Sequence, residues 1–243
     1  MDYVIAIPSY NRPMWINRKT LAMLERHHID KERIHIFVAS NEQNVLYSQQ
    51  NPGYKIITAR LGLSNARNFI SDYFPIRTPI MSFDDDVTEI KQKVGNRTQP
   101  IPDLHAFIQL GFATCIERGR RMFGLYPVPN GMFMKERVQD GLYFCTGPAW
   151  GILNPGPELR INLEYKEDYE RCILMHLKDG GILRFEYVSA ITTFYKGAGG
   201  LNGDRTHEAV AQEANILLTT YPQFVKPRKS GRLGYVEIGL KCK

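Results

Sequence analysis

The chain has 243 residues, 43% apolar and 11% aromatic, which suits one large α/β domain and excludes a wholly disordered protein. No apolar run approaches the roughly 20 residues that cross a bilayer, and residues 1–7 begin as a strand with no basic-then-apolar leader, so neither membrane span nor signal peptide is expected. Four separated cysteines (Cys115, Cys145, Cys172, Cys242) without a CxxC pair fit reduced thiols in a cytoplasm, and the net charge of +6 favours an anionic partner such as a nucleotide, a nucleic acid or a phosphorylated acceptor.

Residues 3–8 read as a buried strand that runs into the loop Pro8-Ser9-Tyr10-Asn11-Arg12-Pro13. A polar loop bounded by proline at the carboxyl end of a parallel strand faces ligand. A helical pattern follows over 15–27, with Ile16, Leu21 and Leu24 on one face. Residues 33–39 form a second strand ending in Ser40-Asn41-Glu42, then a short helix over 44–50 breaks at Asn51-Pro52-Gly53. Residues 54–58 make a third strand. Gly62-Leu63-Ser64-Asn65-Ala66-Arg67-Asn68 opens a helix that reaches about residue 73, with Ser64 as the expected N-cap. Next comes Ile80-Met81-Ser82-Phe83-Asp84-Asp85-Asp86, an apolar strand tipped by three carboxylates. The β-α-β-α-β-α-β series implies a mostly parallel sheet with right-handed crossovers, which binds ligands beyond the strands' carboxyl ends.

The second half is less regular. A short strand is expected over 87–93, a loop over 96–102, and a helix over 104–118 capped by Asp103 with Phe107, Leu110 and Cys115 inward. Residues 123–128 and 142–145 read as strands, Gly147-Pro148-Ala149-Trp150-Gly151 as a turn, and 165–177 as a helix opened by Lys166-Glu167-Asp168. A strand over 183–187 leads to a glycine-rich stretch, 197–204, expected to be mobile. A last helix covers 207–219, and the basic run Lys226-Pro227-Arg228-Lys229-Ser230-Gly231-Arg232 follows. The whole is one domain, 1–243, with a nucleotide-binding half at 1–95 and an acceptor-binding half at 96–243.

Adjacent carboxylates repel, so a fold that gathers three gains from a divalent cation with hard oxygen ligands, Mg²⁺ or Mn²⁺. A solvated acidic turn is the plainer reading of Asp84-Asp85-Asp86 taken alone. The strand ending in Pro-Ser-Tyr-Asn-Arg, the Gly-Leu-Ser-Asn-Ala-Arg-Asn helix start, the Phe-Asp-Asp-Asp strand end and the Glu-Asp helix start together resemble nucleotide-sugar glycosyltransferases of the GT-A fold. This series covers about two-thirds of the chain. In size and basic ending it is most similar to the TET-associated glycosyltransferases of bacteriophages, which act on 5-hydroxymethylpyrimidines in DNA.

That resemblance implies an inverting, metal-dependent transfer from a UDP-sugar, glucose by preference, to a hydroxymethylpyrimidine such as 5-hydroxymethylcytosine. It puts Pro8, Ser9, Tyr10 and Arg12 at the base and ribose, Asn41 among the nucleotide-binding residues at the same sheet edge, and Asp84 near the ribose or base. Arg67 falls on the nucleotide or sugar and Asp86 on the metal, while Asp85 is a water-mediated metal contact or structural. Asp168 is the expected base, since inversion needs one group to deprotonate the acceptor. Glu167 then binds a sugar hydroxyl or structural amides, and His207 completes the metal shell. Lys229, with Arg228 and Arg232, clamps the diphosphate or tracks a DNA backbone. Plainer roles stand beside these: Arg12 and Arg67 as surface arginines, Glu167 and Asp168 as acids favoured by a helix dipole, and His207 as an ordinary helix-start residue. Tyr126, Phe133, Tyr143 and Trp150 are core residues or stacking surfaces. The competing functions are transfer to a polysaccharide, glycolipid or protein, and an inactive nucleotide- or nucleic-acid-binding protein. A nucleotidyltransferase is disfavoured because a glycine-rich, lysine-bearing phosphate loop is missing near the N-terminus. A cytoplasmic location is expected (the host's, if viral), and monomer and homodimer are both open.

Overall fold

A computed structural model describes residues 2–192, 205–229, 234 and 236–242. The first half alternates as the sequence implies. Strands β1 (Val4–Pro8), β2 (Ile34–Val38), β3 (Lys55–Thr58) and β4 (Pro79–Phe83) alternate with helical segments α1 (Pro13–Ile16), α2 (Ala22–Arg26), α3 (Asn41–Gln50) and α4 (Leu63–Tyr73). A π-helical turn, Asn17–Leu21, joins α1 to α2. These four strands are parallel neighbours in the order β3-β2-β1-β4.

The period-two pattern of the strands divides the core between the two faces of the sheet. Ile5, Ile7, Ile34, Ile36, Met81 and Phe83 point to one face, with Ile16 and Leu24 of the first helical segments. Ala6, Phe37 and Ile80 point to the other, with Ile70 of α4. Both faces being covered, β1, β2 and β4 are almost continuously apolar, as parallel strands are.

The second half adds β5 (Val87–Val94), β6 (Arg97–Pro100), α5 (Leu104–Glu117), β7 (Met122–Leu125), β8 (Val138–Gly141), β9 (Ala149–Leu153), α6 (Glu167–Asp179), β10 (Ile182–Phe185) and β11 (Val188–Thr192). Helix α7 (His207–Thr220) and the pair β12 (Val225–Pro227) and β13 (Ile238–Leu240) follow. The central sheet has eight strands in the order β3-β2-β1-β4-β9-β7-β10-β8, and a smaller sheet has the order β11-β5-β6. Six of the eight central strands run one way, while β9 and β8 oppose them.

Four local expectations change. Residues 147–151 are not a turn throughout, because Ala149, Trp150 and Gly151 belong to β9, which inserts between β4 and β7. Gly151 imitates a turn signal, but a Cβ there would stand 2.1 Å from the Phe123 ring, so it marks close packing. Residues 142–145 form no strand; the short polar segment β8 takes the sheet edge instead, where it needs one partner only. The expected loop over 96–102 contains β6, turned back on β5 through Gly95 at φ +56°. Leu110 is 48% exposed, because the buried face of α5 follows Phe107, Ile108, Gly111, Phe112 and Cys115. Asp103 caps α5 as anticipated, accepting a 2.8 Å hydrogen bond from the Ala106 amide. The glycine-rich stretch at 197–204 and Arg232 lie outside the described residues.

Candidate active site

A cleft of about 580 Å³ opens along the carboxyl ends of β1, β2 and β4. One wall carries Pro8 at the end of β1 with Ser9, Tyr10 and Arg12 of the loop that follows, Val38 and Ala39 at the end of β2, and Arg60 to Leu63 leading into α4. Asp84, Asp85 and Asp86 stand at the end of β4, and Thr146, Gly147 and Pro148 precede β9. The start of α6 supplies Lys166, Glu167 and Asp168, with Arg205 and Glu237 beside them. The cleft therefore opens at the edge where the sequence leads one to expect a ligand.

The three acids divide by environment. Asp85 points inward. Its carboxylate accepts hydrogen bonds from the Ser9 hydroxyl at 2.6 Å and the Arg12 guanidinium at 3.1 Å. Ser9 also meets the Tyr47 hydroxyl at 2.7 Å, and Tyr47 accepts from the Arg12 amide at 2.8 Å. Asp85 is thus the post that shapes the first loop. Burial pushes its carboxyl above the usual range, against the pull of Arg12 and Ser9. Burial likewise pushes the Tyr47 hydroxyl up to about 12, so it stays protonated.

Asp84 accepts a hydrogen bond from Arg67 at 2.8 Å. Arg67 also donates to the Ser82 hydroxyl and lies 5.2 Å from the centre of the Trp150 ring. It is buried and does not line the cleft, so it supports Asp84 and is not a solvated surface arginine. Asp86 accepts a hydrogen bond from the Thr192 hydroxyl. Burial, then the neighbouring Asp84 charge, pushes its carboxyl up to about 7. A carboxyl this uncomfortable as an anion gains most from a cation beside it.

On the other side, Glu167 is buried against Arg171, four residues on, whose guanidinium donates to it and stacks 3.9 Å from the centre of the opposite ring partner, Trp150. Glu167 and Asp84 face each other across the gap left by Gly147: a Cβ there would lie 3.5 Å from the first and 3.8 Å from the second. Asp168 is half-buried at the cleft wall. Burial, then the charge of Glu167, pushes its carboxyl up to about 7, while Arg171 and Lys166 pull the other way. Phe144 stacks on Tyr169 at 4.3 Å beside it.

The loop before α6 is fixed by acids that sequence reading passed over. Glu213 of α7 accepts hydrogen bonds from the amides of Glu164, Tyr165 and Lys166 at 2.8, 2.7 and 2.9 Å. Glu170 accepts from Asn162 and Leu163 at 2.8 and 2.9 Å. Glu164 reaches across to α4, accepting from the Leu63 amide, from the Ser64 amide at 3.0 Å and from the Ser64 hydroxyl at 2.7 Å. Ser64 is consequently not the N-cap. Gly62 takes that position at φ +96°, and a distant carboxylate satisfies the orphan amides.

Several expected ligand residues fall elsewhere. Asn41 begins α3 and accepts a 2.9 Å hydrogen bond from Thr58, outside the cleft lining. Lys229 and Arg228 are exposed near the C-terminus and do not line it. His207 begins α7, exposed and beside Gly234, and is not among the residues that line the cleft. Trp150 is core, and Phe133 is 61% exposed on a distant loop. Among the described residues, the cations that line the cleft are Arg12, Arg60, Lys166 and Arg205. Among the described residues no group of three or more His, Cys, Asp and Glu side chains is arranged to enclose a metal ion. Asp86 with Asp84 suits a cation held by one or two carboxylates and completed by phosphate oxygens, the usual habit of Mg²⁺ and Mn²⁺.

No family model matches the sequence, and no curated protein matches it. Solved structures do. The chain is similar to residues 1–349 of Staphylococcus aureus TarS bound to UDP-GlcNAc, with TM-score 0.58 and 15% identity over 90% of this chain and 67% of that one. A further Staphylococcus aureus TarS structure gives TM-score 0.53 and 14% identity over 90% of this chain and 40% of that one. Glucosyl-3-phosphoglycerate synthase from Mycobacterium tuberculosis, solved with Mn²⁺, UDP-glucose and phosphoglyceric acid, gives TM-score 0.52 and 9% identity over 97% of this chain and 86% of that one. At such low identity these likenesses speak for the fold, which is that of the GT-A glycosyltransferases.

Proposed function

We propose that this chain is an inverting, metal-dependent glycosyltransferase that moves a sugar, glucose by preference, from a UDP-sugar to the hydroxyl of a hydroxymethylpyrimidine in DNA. The observation that carries the reaction class is the pairing, across one cleft, of an acid-tipped parallel strand with a carboxyl poised near pH 7 at the start of α6. Structural neighbours solved with UDP-GlcNAc and with UDP-glucose support a UDP-sugar donor. The DNA acceptor rests on the motif resemblance and the net charge of +6.

The nucleoside would lie over Pro8, Tyr10 and Arg60, on the loop braced by Asp85. Asp86, with Asp84, would hold Mg²⁺ or Mn²⁺, which when bound neutralises charge on the departing diphosphate. Asp168 takes the proton from the acceptor hydroxyl. The oxygen so freed bonds to the anomeric carbon from the face opposite the phosphate. The carbon–oxygen bond to the diphosphate breaks, and UDP leaves with that electron pair. One displacement inverts the anomeric centre. Glu167, aimed by Arg171, accepts a hydrogen bond from a sugar hydroxyl.

Incubation with UDP-glucose, Mn²⁺ and 5-hydroxymethylcytosine DNA should give UDP and glucosylated DNA, detected by mass spectrometry of the digested nucleosides. Turnover on free saccharides with none on DNA would overturn the acceptor. No UDP release from any UDP-sugar would overturn the reaction class.

A further inference from the structure

Lys166 is 7% exposed, yet it lines the cleft. Its ammonium lies 5.7 Å from the centre of the Tyr169 ring, and among the described residues it forms no ion pair with a carboxylate. The Asp168 carboxyl is the nearest opposite charge it feels, but no carboxylate of the described residues reaches the ammonium directly, and a bound anion is the usual remedy for a buried lysine without a direct partner. The surrounding loop holds it rigidly, since Glu213 accepts from its own backbone amide at 2.9 Å. Arg205 lines the same end of the cleft, with its guanidinium 5.5 Å from the centre of the Tyr165 ring. A second cation therefore stands on neighbouring residues.

The position of this pair determines which anion it would meet. The donor's diphosphate belongs with Asp84 and Asp86 at the end of β4. Lys166 is two residues before Asp168, on the wall that must receive the acceptor's hydroxyl. An anion at Lys166 is then carried by the same molecule as the reacting hydroxyl. A phosphate suits both cations: it offers several acceptor oxygens to the ammonium and a two-point edge to the guanidinium.

We infer that Lys166 and Arg205 form a phosphate subsite on the acceptor side of the cleft, so that the enzyme selects acceptors bearing a phosphate close to the hydroxyl that is glycosylated. This rests on the glycosyl-transfer reading for the reaction, but not for the binding. A nucleotide unit within DNA satisfies it, and a neutral sugar or free nucleoside does not.

The test compares 5-hydroxymethyl-2′-deoxycytidine with its 5′-monophosphate as acceptors for UDP-glucose. In the wild type kcat/KM should be at least about tenfold higher for the monophosphate. In Lys166→Met the preference should fall to within about twofold, with the UDP-glucose KM changed by less than about twofold; Lys166→Arg should keep the preference. Arg205→Gln, outside the α6 start, should lower the preference in the same direction even if Lys166→Met folds poorly. Equal use of both acceptors by the wild type would overturn the subsite. So would a raised UDP-glucose KM in Lys166→Met with the preference intact, since the lysine would then serve the leaving diphosphate. If no UDP is released from any acceptor, the transferase reading fails on its own. Calorimetric titration of the two acceptors then decides the subsite: tighter monophosphate binding that Lys166→Met abolishes supports it, and equal affinities overturn it.

Discussion

Replacing Asp168 by Asn should stabilise the protein and disable it together. The carboxyl is pushed up to about 7, first by burial and then by the Glu167 charge. Its folded-state value therefore lies above the unfolded one near 3.8. A group raised in this way favours the folded state fully below about pH 4, and that advantage disappears as pH rises through about 7. Above pH 7 the folded protein holds an ionised carboxylate where a neutral one is preferred. At about 1.4 kcal/mol per pH unit, the full interval corresponds to about 4 kcal/mol. Asp168 keeps some water contact, so about 1–3 kcal/mol is a more realistic gain on substitution. For a chain of this length that raises Tm by roughly 3–10 °C at pH 8, with almost no difference at pH 4. Scanning calorimetry of both proteins at pH 4, 6 and 8 reads the trend directly. Sugar transfer should fall by about 10²–10⁴-fold, the span expected for losing a general base. An unchanged or lower Tm at pH 8 would refute the burial argument, and an active variant would remove Asp168 from the chemistry.

The wild-type pH–rate profile should show an acid limb near 7, activity falling below it as Asp168 takes up a proton; Glu167→Gln removes a charge that raises this carboxyl, so the limb should move to lower pH. Arg67→Met leaves Asp84 without its guanidinium and opens a gap beside Trp150, so urea denaturation should show a loss of about 3–5 kcal/mol. Ser9→Ala removes a 2.6 Å hydrogen bond to the buried Asp85 carboxylate, and the unfolding free energy should fall by about 1–3 kcal/mol. His207→Ala should leave Mn²⁺ affinity unchanged in electron paramagnetic resonance titrations with UDP present, whereas Asp86→Asn should weaken it at least about tenfold.

Alternating apolar strands and helical spacing made β1 to β4 legible from local pattern alone. Parallel topology then sends the loop after β1 and the three acids to one edge, and Glu167-Asp168 is readable as two acids at a helix start. What escaped was everything that depends on a partner far along the chain. Gly151 and Trp150 look like a turn until Phe123 is seen packed over the glycine. Ser64 looks like an N-cap until the Glu164 carboxylate arrives. Arg67 looks like a ligand-facing arginine until it is found buried on Asp84 and Trp150. Asp85, without a firm role by pattern, becomes the post of the first loop once Ser9 and Arg12 converge on it.

The sequence by itself determined the parallel half of the sheet and the edge at which its acids gather, because both follow from residue spacing within one strand or helix. Only the tertiary structure decided which acids face solvent space and which face inward. It also chose Lys166 and Arg205, rather than Lys229 and His207, for the cleft. Those choices depend on burial and on contacts between residues distant in the chain, and no local spacing encodes them.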